Sequence, residues 1–195
     1  MQKLEAQLTF INELDLLKGV QRQALIKCDN NRQENSAEHS WHIALTAVTL
    51  QEYADEVIDI SRVIQMLLIH DVVEIDAGDT FAFASDAALN NQEEIERNAA
   101  YRIFGLLPEP QSKIMLDLWM EFENAETADS RFAKAIDRIL PLIQNVQNEG
   151  GSWAKHKVNK SKVLARNQYL KDSAPTLWEY ACQQIDYAEK QGWLI

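Results

Sequence analysis

From Val63 to Ile69 the chain reads VIQMLLI, with Gln65 its only polar residue, and then an imidazole and a carboxylate arrive together at His70 and Asp71. No amphipathic stripe can be drawn on such a run, so residues 61–70 are expected to form a helix buried on nearly every side, at the centre of the core. A buried helix that ends in a His–Asp pair must satisfy both groups, because leaving polar groups unpaired in apolar surroundings costs on the order of several kcal/mol. A metal ion would satisfy them.

The rest of the chain repeats the helical signal. Leu4, Leu8, Ile11, Leu14 and Leu17 step at threes and fours, the apolar stripe of an amphipathic helix, and Gly19 is a stop. Residues 20–36 read as irregular, since CDNNRQENS is polar after Cys28, and Asn35 or Ser36 is placed to cap the next helix. That helix runs from Ala37 to about Ala54, with Ile43, Ala44, Ala47 and Leu50 inward. Asp79, Ser85 and Asp86 break the periodicity of DTFAFASDAALNNQ (79–92), which reads as a loop over one end of the bundle, forming part of the rim of any site there. Helix resumes near Glu93 and ends by Gly105, and segments 111–123, 127–147, 158–171 and 176–191 read as the remaining helices. Six Gly and four Pro in 195 residues are too few for a sandwich or barrel. The expected fold is therefore all-α: one domain spanning 1–195, a bundle of about seven to nine helices. Segment 148–195 closes the bundle.

Charge narrows the function classes. Thirty acidic residues against nineteen basic ones give −11, a surface that repels phosphate backbones and anionic lipid, so neither a nucleic-acid polymer nor a membrane is an expected partner. The first residues lack a basic segment followed by an unbroken apolar run, and Cys28 and Cys182 form no CxxC pair, which together point to a reducing cytoplasm.

Upstream of the His70–Asp71 pair stands His39 in EHSW (38–41), and downstream stands Asp137 in RFAKAID (131–137). This H…HD…D order, with HDVVEIDAGD (70–79) and LWMEFE (118–123), resembles the HD-domain metal-dependent phosphohydrolases, in the branch of HD domain-containing protein 2 and the bacterial 5′-deoxynucleotidases. The resemblance covers about 10–147, which it makes the metal-binding core, and implies that His39, His70, Asp71 and Asp137 ligate one divalent ion, with Mn, Co, Ni, Fe, Zn and Mg all open. It implies a proton-shuttling Glu74, an Asp79 that positions substrate or assists, and a homodimer. Arg32, in the polar loop before His39, is matched to a phosphate contact, its alternative being a surface pairing with Glu34 or Glu38. Lys134 is matched to substrate or ligand support, its alternative being an exposed lysine. His42 reads as packing or support rather than a ligand, and His156 as a surface residue.

The implied activity is a phosphomonoesterase on nucleoside 5′-monophosphates or similar small phosphorylated metabolites, using a water activated by the ion. A phosphodiesterase, a non-nucleotide phosphatase and a non-catalytic, metal-stabilised helical adaptor are the alternatives. Where the deoxynucleotidase branch carries an arginine–tryptophan pair, this chain has Ala24–Leu25, and Arg22, the nearest arginine, is out of register.

Overall fold

The computed structural model describes residues 1–83 and 86–195, the side chains of residues 86–90 excepted. Helix α1 (Gln2–Leu14) passes through a 3-10 turn (Asp15–Gly19) into two short strands, β1 (Gln21–Ile26) and β2 (Arg32–Asn35). They pair antiparallel, with Leu25 opposite Gln33 and Ile26 opposite Arg32. Residues 20–36 are thus ordered as a ribbon where composition reads as irregular. Asn30 and Asn31, at φ 53° and 57°, turn the chain between the strands in the left-handed conformation that asparagine tolerates better than most residues. The stripe on α1 also differs from expectation. Leu4, Leu8 and Ile11 face outward, and Phe10 makes the helix's buried contact.

Asn35 caps α2 (Ser36–Leu50): its side chain accepts from the Glu38 amide, and the Glu38 carboxylate accepts from the Asn35 amide. In α3 (Ile60–Ile69) the Asp59 carboxylate accepts from the Ser61 and Arg62 amides, and Val63, Met66 and Leu67 are fully buried, but Gln65 and Leu68 are exposed, so the helix is buried on one face and not on nearly every side as its apolar run suggests. The α-helix does not continue through the polar pair. A 3-10 turn (His70–Val73) intervenes before a single further turn, α4 (Glu74–Ala77).

Then follow α5 (Asp86–Phe104), α6 (Gln111–Asn124) and α7 (Ala128–Gln147), and after these α8 (Gly151–His156), α9 (Lys160–Asn167), α10 (Leu170–Ser173) and α11 (Pro175–Lys190). The loop expected over 80–92 is therefore shorter, because α5 begins at Asp86 and not near Glu93. Ala87, Ala88 and Leu89 have strong intrinsic helix propensity, and an acidic residue suits a helix start. Ala84 and Ser85 of that segment lie outside the described residues. The all-α class holds, with the two-stranded ribbon as its exception among the described residues. None of the described helices is long and apolar enough to cross a membrane.

Two apolar clusters organise the packing. One gathers Ile43, Met66, Leu67, Phe132, Ile136, Ile139 and Ile185 from α2, α3, α7 and α11. The other gathers Phe10, Val72, Val73, Ile103, Phe104 and Trp119 from α1, the 3-10 turn, α5 and α6. The chain crosses from the first to the second at His70 and Asp71, so those polar residues sit on a turn gripped by apolar neighbours on both sides. This fixes the site.

Candidate metal centre

Three elements converge at that turn. The first turn of α2 contributes His39, which has no exposed surface; the end of α3 contributes His70; the middle of α7 contributes Asp137. One ring nitrogen from each histidine and one carboxylate oxygen of Asp137 all lie within 4.8 Å of one another. Asp137 Oδ1 is 3.1 Å from His39 Nε2 and 3.6 Å from His70 Nε2.

Both imidazoles are held from behind. His70 Nδ1 donates to the Leu67 carbonyl at 2.8 Å, which leaves Nε2 as the nitrogen that can offer a lone pair to a cation. Trp119 Nε1 donates to the His70 carbonyl at 3.1 Å, and the Phe122 ring lies edge-on at 5.0 Å. His39 Nδ1 faces Glu34 Oε2 at 3.4 Å, the carboxylate–histidine pairing that orients metal ligands. His70 Nε2 is buried and makes no hydrogen bond of good geometry, although Asp71 Oδ1 lies 2.9 Å from it. An orphaned imidazole nitrogen aimed at a second imidazole and a carboxylate fits a divalent cation, and the mixed nitrogen and oxygen donors suit a first-row ion.

Asp71 stands beside this group. Its Oδ1 is 2.9 Å from His70 Nε2, while its Oδ2 accepts from Arg22 Nη1 at 2.5 Å. Burial opposes ionisation of Asp71 and Asp137, yet both pKa values are lowered, Asp71 by His70 and Arg22, Asp137 by His39 and His70. Burial likewise opposes the charge on His70, but Asp71 and Asp137 outweigh it and raise its pKa.

Glu74 follows the opposite course. Burial, with Asp71 and Asp79 nearby, pushes its pKa up to about 9 against the opposing pull of Arg22, and Ser36 Oγ donates to its Oε2. Burial also raises the Asp79 carboxyl, although Arg22 Nη1 lies 4.0 Å away. The structure thus brings His39, His70, Asp71, Glu74, Asp79 and Asp137 together.

Lys134 also lies here, 3.0 Å from Glu123 and over the Phe122 ring, lining the recess with His70, Asp71 and Glu74. Arg32 does not. It lies on the outside, half exposed, forked onto Glu38 and paired with Asp29. Arg32 opens β2 beside the Asn30–Asn31 turn, where its guanidinium is held by Glu38 and Asp29, whereas Glu34, two residues further along the strand, is buried. His42 and His156 are both exposed, the latter against the Phe81 ring at 4.6 Å.

The cation that does reach the centre is Arg22, on β1, within 4.0 Å of Asp71, Glu74, Asp79 and Glu34 carboxylates. Burial disfavours its charge, but Asp71, Glu74, Asp79 and Asp137 raise its pKa all the same. Without the ribbon Glu34 carries no sequence signal and Arg22 only an out-of-register one, because both lie in a stretch with no helical period.

Two recesses open from the centre, of about 290 and 100 Å³, and Arg22, Asp79, Asp137, Arg138 and Arg166 belong to both. The sequence model of the HD domain matches residues 14–178. The human 5′-deoxynucleotidase HDDC2 is 28% identical over 142 residues, covering 73% of this chain and 68% of that protein. A 5′-deoxynucleotidase of Erwinia tasmaniensis is 25% identical over 169 residues, 82% of this chain and 84% of its own. Among solved structures, a predicted metal-dependent phosphohydrolase from Magnetospirillum magnetotacticum superposes with a TM-score of 0.92 at 49% identity, over 99% of this chain and 96% of that one.

Proposed function

This chain belongs to the HD-domain family, and from that premise we propose that it is a divalent-metal phosphomonoesterase acting on nucleoside 5′-monophosphates or similar small phosphorylated metabolites. The observation that carries the reading is the buried, hydrogen-bond-free His70 Nε2 facing His39 and Asp137. The names of the curated relatives support the substrate class, and the 49%-identical neighbour supports metal-dependent phosphate hydrolysis. One HD domain spanning 1–195 fits the packing of α9 and α11 on α7.

His39, His70 and Asp137, with Asp71 beside them, would hold the ion. When bound, it supplies Lewis acidity to a phosphoryl oxygen and to water. Arg22 fixes Asp71 by its Nη1 and lines the recess, and we assign it the phosphate contact in place of Arg32, which lies outside the recess. Lys134, anchored by Glu123, adds a second cation to the same wall. Glu74, with its pKa near 9, carries a proton at neutral pH and can pass it to the departing alkoxide. Asp79, fixed near Arg22, orients the substrate or assists that transfer.

A panel of deoxynucleoside and ribonucleoside 5′-monophosphates, non-nucleotide phosphate esters and a phosphodiester, screened with Mn²⁺, Co²⁺, Ni²⁺, Fe²⁺, Zn²⁺ and Mg²⁺, tests the reading. Monoester hydrolysis with little diester turnover is expected. Faster diester cleavage would move the assignment to a phosphodiesterase, and folded, metal-loaded protein without turnover would leave a metal-stabilised adaptor. Arg22→Gln is expected to raise KM by about 10-fold or more, the worth of one charged hydrogen bond to phosphate. Steady-state kinetics that leave KM unchanged would return the phosphate contact to another residue.

We propose a homodimer in the cytoplasm. The outward Leu4, Leu8 and Ile11 stripe supports the first and two free cysteines the second. Light scattering should give about twice the 22.3 kDa chain mass, and Leu8→Glu with Ile11→Glu should halve it. A wild-type mass near that of one chain would refute the dimer.

A further inference from the structure

In a chain of net charge −11, four cations line the larger recess: Arg22, Lys134, Arg138 and Arg166. Two of them are already neutralised. Arg22 is taken by Asp71 and its neighbours, and Lys134 by Glu123. Elsewhere Arg32, Arg62, Arg102 and Arg131 each find a carboxylate, as the excess of acids makes easy.

Arg138 and Arg166 are different. Arg138 Nη1 donates to the Arg166 carbonyl at 3.1 Å, and its guanidinium lies 4.6 Å from the centre of the Tyr169 ring, so neither partner is an acid. Among the described residues, no carboxylate oxygen lies within 4.0 Å of either guanidinium. Both arginines line both recesses, and Arg138 directly follows Asp137 on α7, while Arg166 comes from α9. Desolvation lowers the Arg166 pKa, and Arg138 and Arg22 add to this against Asp137 and Asp79. Two guanidiniums that line the same recesses without an anion repel one another. A bound anion relieves that repulsion, and the guanidinium fork matches a phosphate or carboxylate edge.

We propose that Arg166 and Arg138 form a second anion subsite beside the metal centre, so that the preferred substrates are phosphomonoesters whose leaving alcohol bears its own phosphate or carboxylate. This rests on the phosphomonoesterase reading for the reaction, and it narrows the substrate class. The scissile phosphate would lie at His39, His70, Asp137 and Arg22, and the second anion along the adjoining wall where the two recesses meet. The reaction itself is unchanged: water adds to phosphorus, the P–O bond to the alcohol breaks, and the alcohol leaves with a proton while its second anionic group stays intact.

Two matched pairs isolate the second anion: deoxyadenosine 5′-monophosphate against deoxyadenosine 3′,5′-bisphosphate, and glycerol phosphate against phosphoglycerate. In the wild type the member with the extra anion should have a kcat/KM about 10-fold or more higher, as one charged guanidinium contact is worth. Arg166→Gln should abolish that preference and leave the other member within about 2-fold. The pair that shows the larger preference tells phosphate from carboxylate. Equal kcat/KM within both pairs, or an equal loss for both members in Arg166→Gln, overturns the subsite. Calorimetric titration of metal-loaded Glu74→Gln with the two deoxyadenosine nucleotides reads the subsite without turnover. Tighter binding of the bisphosphate, lost on adding Arg166→Gln, upholds the subsite even if the wild type hydrolyses neither. Hydrolysis without any such preference upholds the reaction and ends the subsite.

Discussion

Asp137→Asn is expected to lose the divalent ion and all hydrolysis that depends on it while keeping the helical fold. Asp137 Oδ1 lies between the two imidazoles, 3.1 Å from His39 Nε2 and 3.6 Å from His70 Nε2, and is the carboxylate oxygen grouped with both. Burial alone would protonate it, but His39 and His70 hold its pKa well below the ordinary carboxylate range, so it is an anion at every working pH. Asparagine preserves volume and a carbonyl oxygen but removes that negative charge from a site that must offset a doubly charged ion. Changes that only reorient metal ligands cost about 10–100-fold in affinity, and loss of a ligand charge should exceed that. The helix survives because Phe132, Ile136 and Ile139, on the opposite turns of α7, are fully buried in the core and are untouched. Elemental analysis and calorimetry with Mn²⁺ or Co²⁺ give the affinity, and circular dichroism gives the fold. Wild-type affinity in Asp137→Asn would remove Asp137 from the ligand set. The linkage also has a sign. A carboxyl with a depressed folded pKa contributes stability above the ordinary carboxylate range and loses it as pH falls, so metal-free wild type should lose more stability on acidification than Asp137→Asn.

What the sequence made legible divides along the periodicity of the chain. His70 and Asp71 were readable because they end the apolar run of α3, while His39 on α2 and Asp137 on α7 were picked out by the H…HD…D order that resembles the HD-domain phosphohydrolases. Glu74 joins the group although the helix does not continue through it: the 3-10 turn at His70–Val73 winds tightly enough to keep Glu74 buried on the same side. Arg22 and Glu34 were not readable. Their placement depends on pairing β1 with β2, and such pairing is a property of two segments together, invisible in either alone. Arg32, at the first position of β2, is drawn instead to Glu38 and Asp29 outside the centre. The outward face of α1 is another case: Leu4, Leu8 and Ile11 have helical spacing, but spacing cannot say which of two faces meets the core, and Phe10 took that role. At 80–92, polar residues near a helix start looked like a loop because caps and loops use the same residue types.

Glu74→Gln is expected to bind metal and fold normally yet lower kcat by about 10²–10⁴-fold, the usual cost of a missing acid or base. Glutamine keeps the shape and, like the protonated acid, carries no charge beside Asp71 and Asp79, so ligand electrostatics are preserved at neutral pH. It still accepts from Ser36 Oγ. What it cannot do is release a proton to the departing oxygen and recover one. Burial is the chief reason that Glu74 holds its proton up to about 9, and the same burial supplies a structural signature separate from turnover. A group whose folded pKa is raised stabilises the fold fully below its unfolded pKa and loses that contribution as pH climbs through the folded value. Wild-type stability should therefore decline from the ordinary glutamate range up to about pH 9, and Glu74→Gln, with nothing to titrate, should lack that decline. Melting curves from pH 5 to pH 9 measure it in about the range where the two states differ in protonation. If Glu74→Gln keeps full kcat, proton transfer belongs to another group and Asp79 is the next to replace. If kcat falls while both proteins show the same pH dependence of melting, Glu74 acts as an ionised base and not as the proton donor that its burial favours.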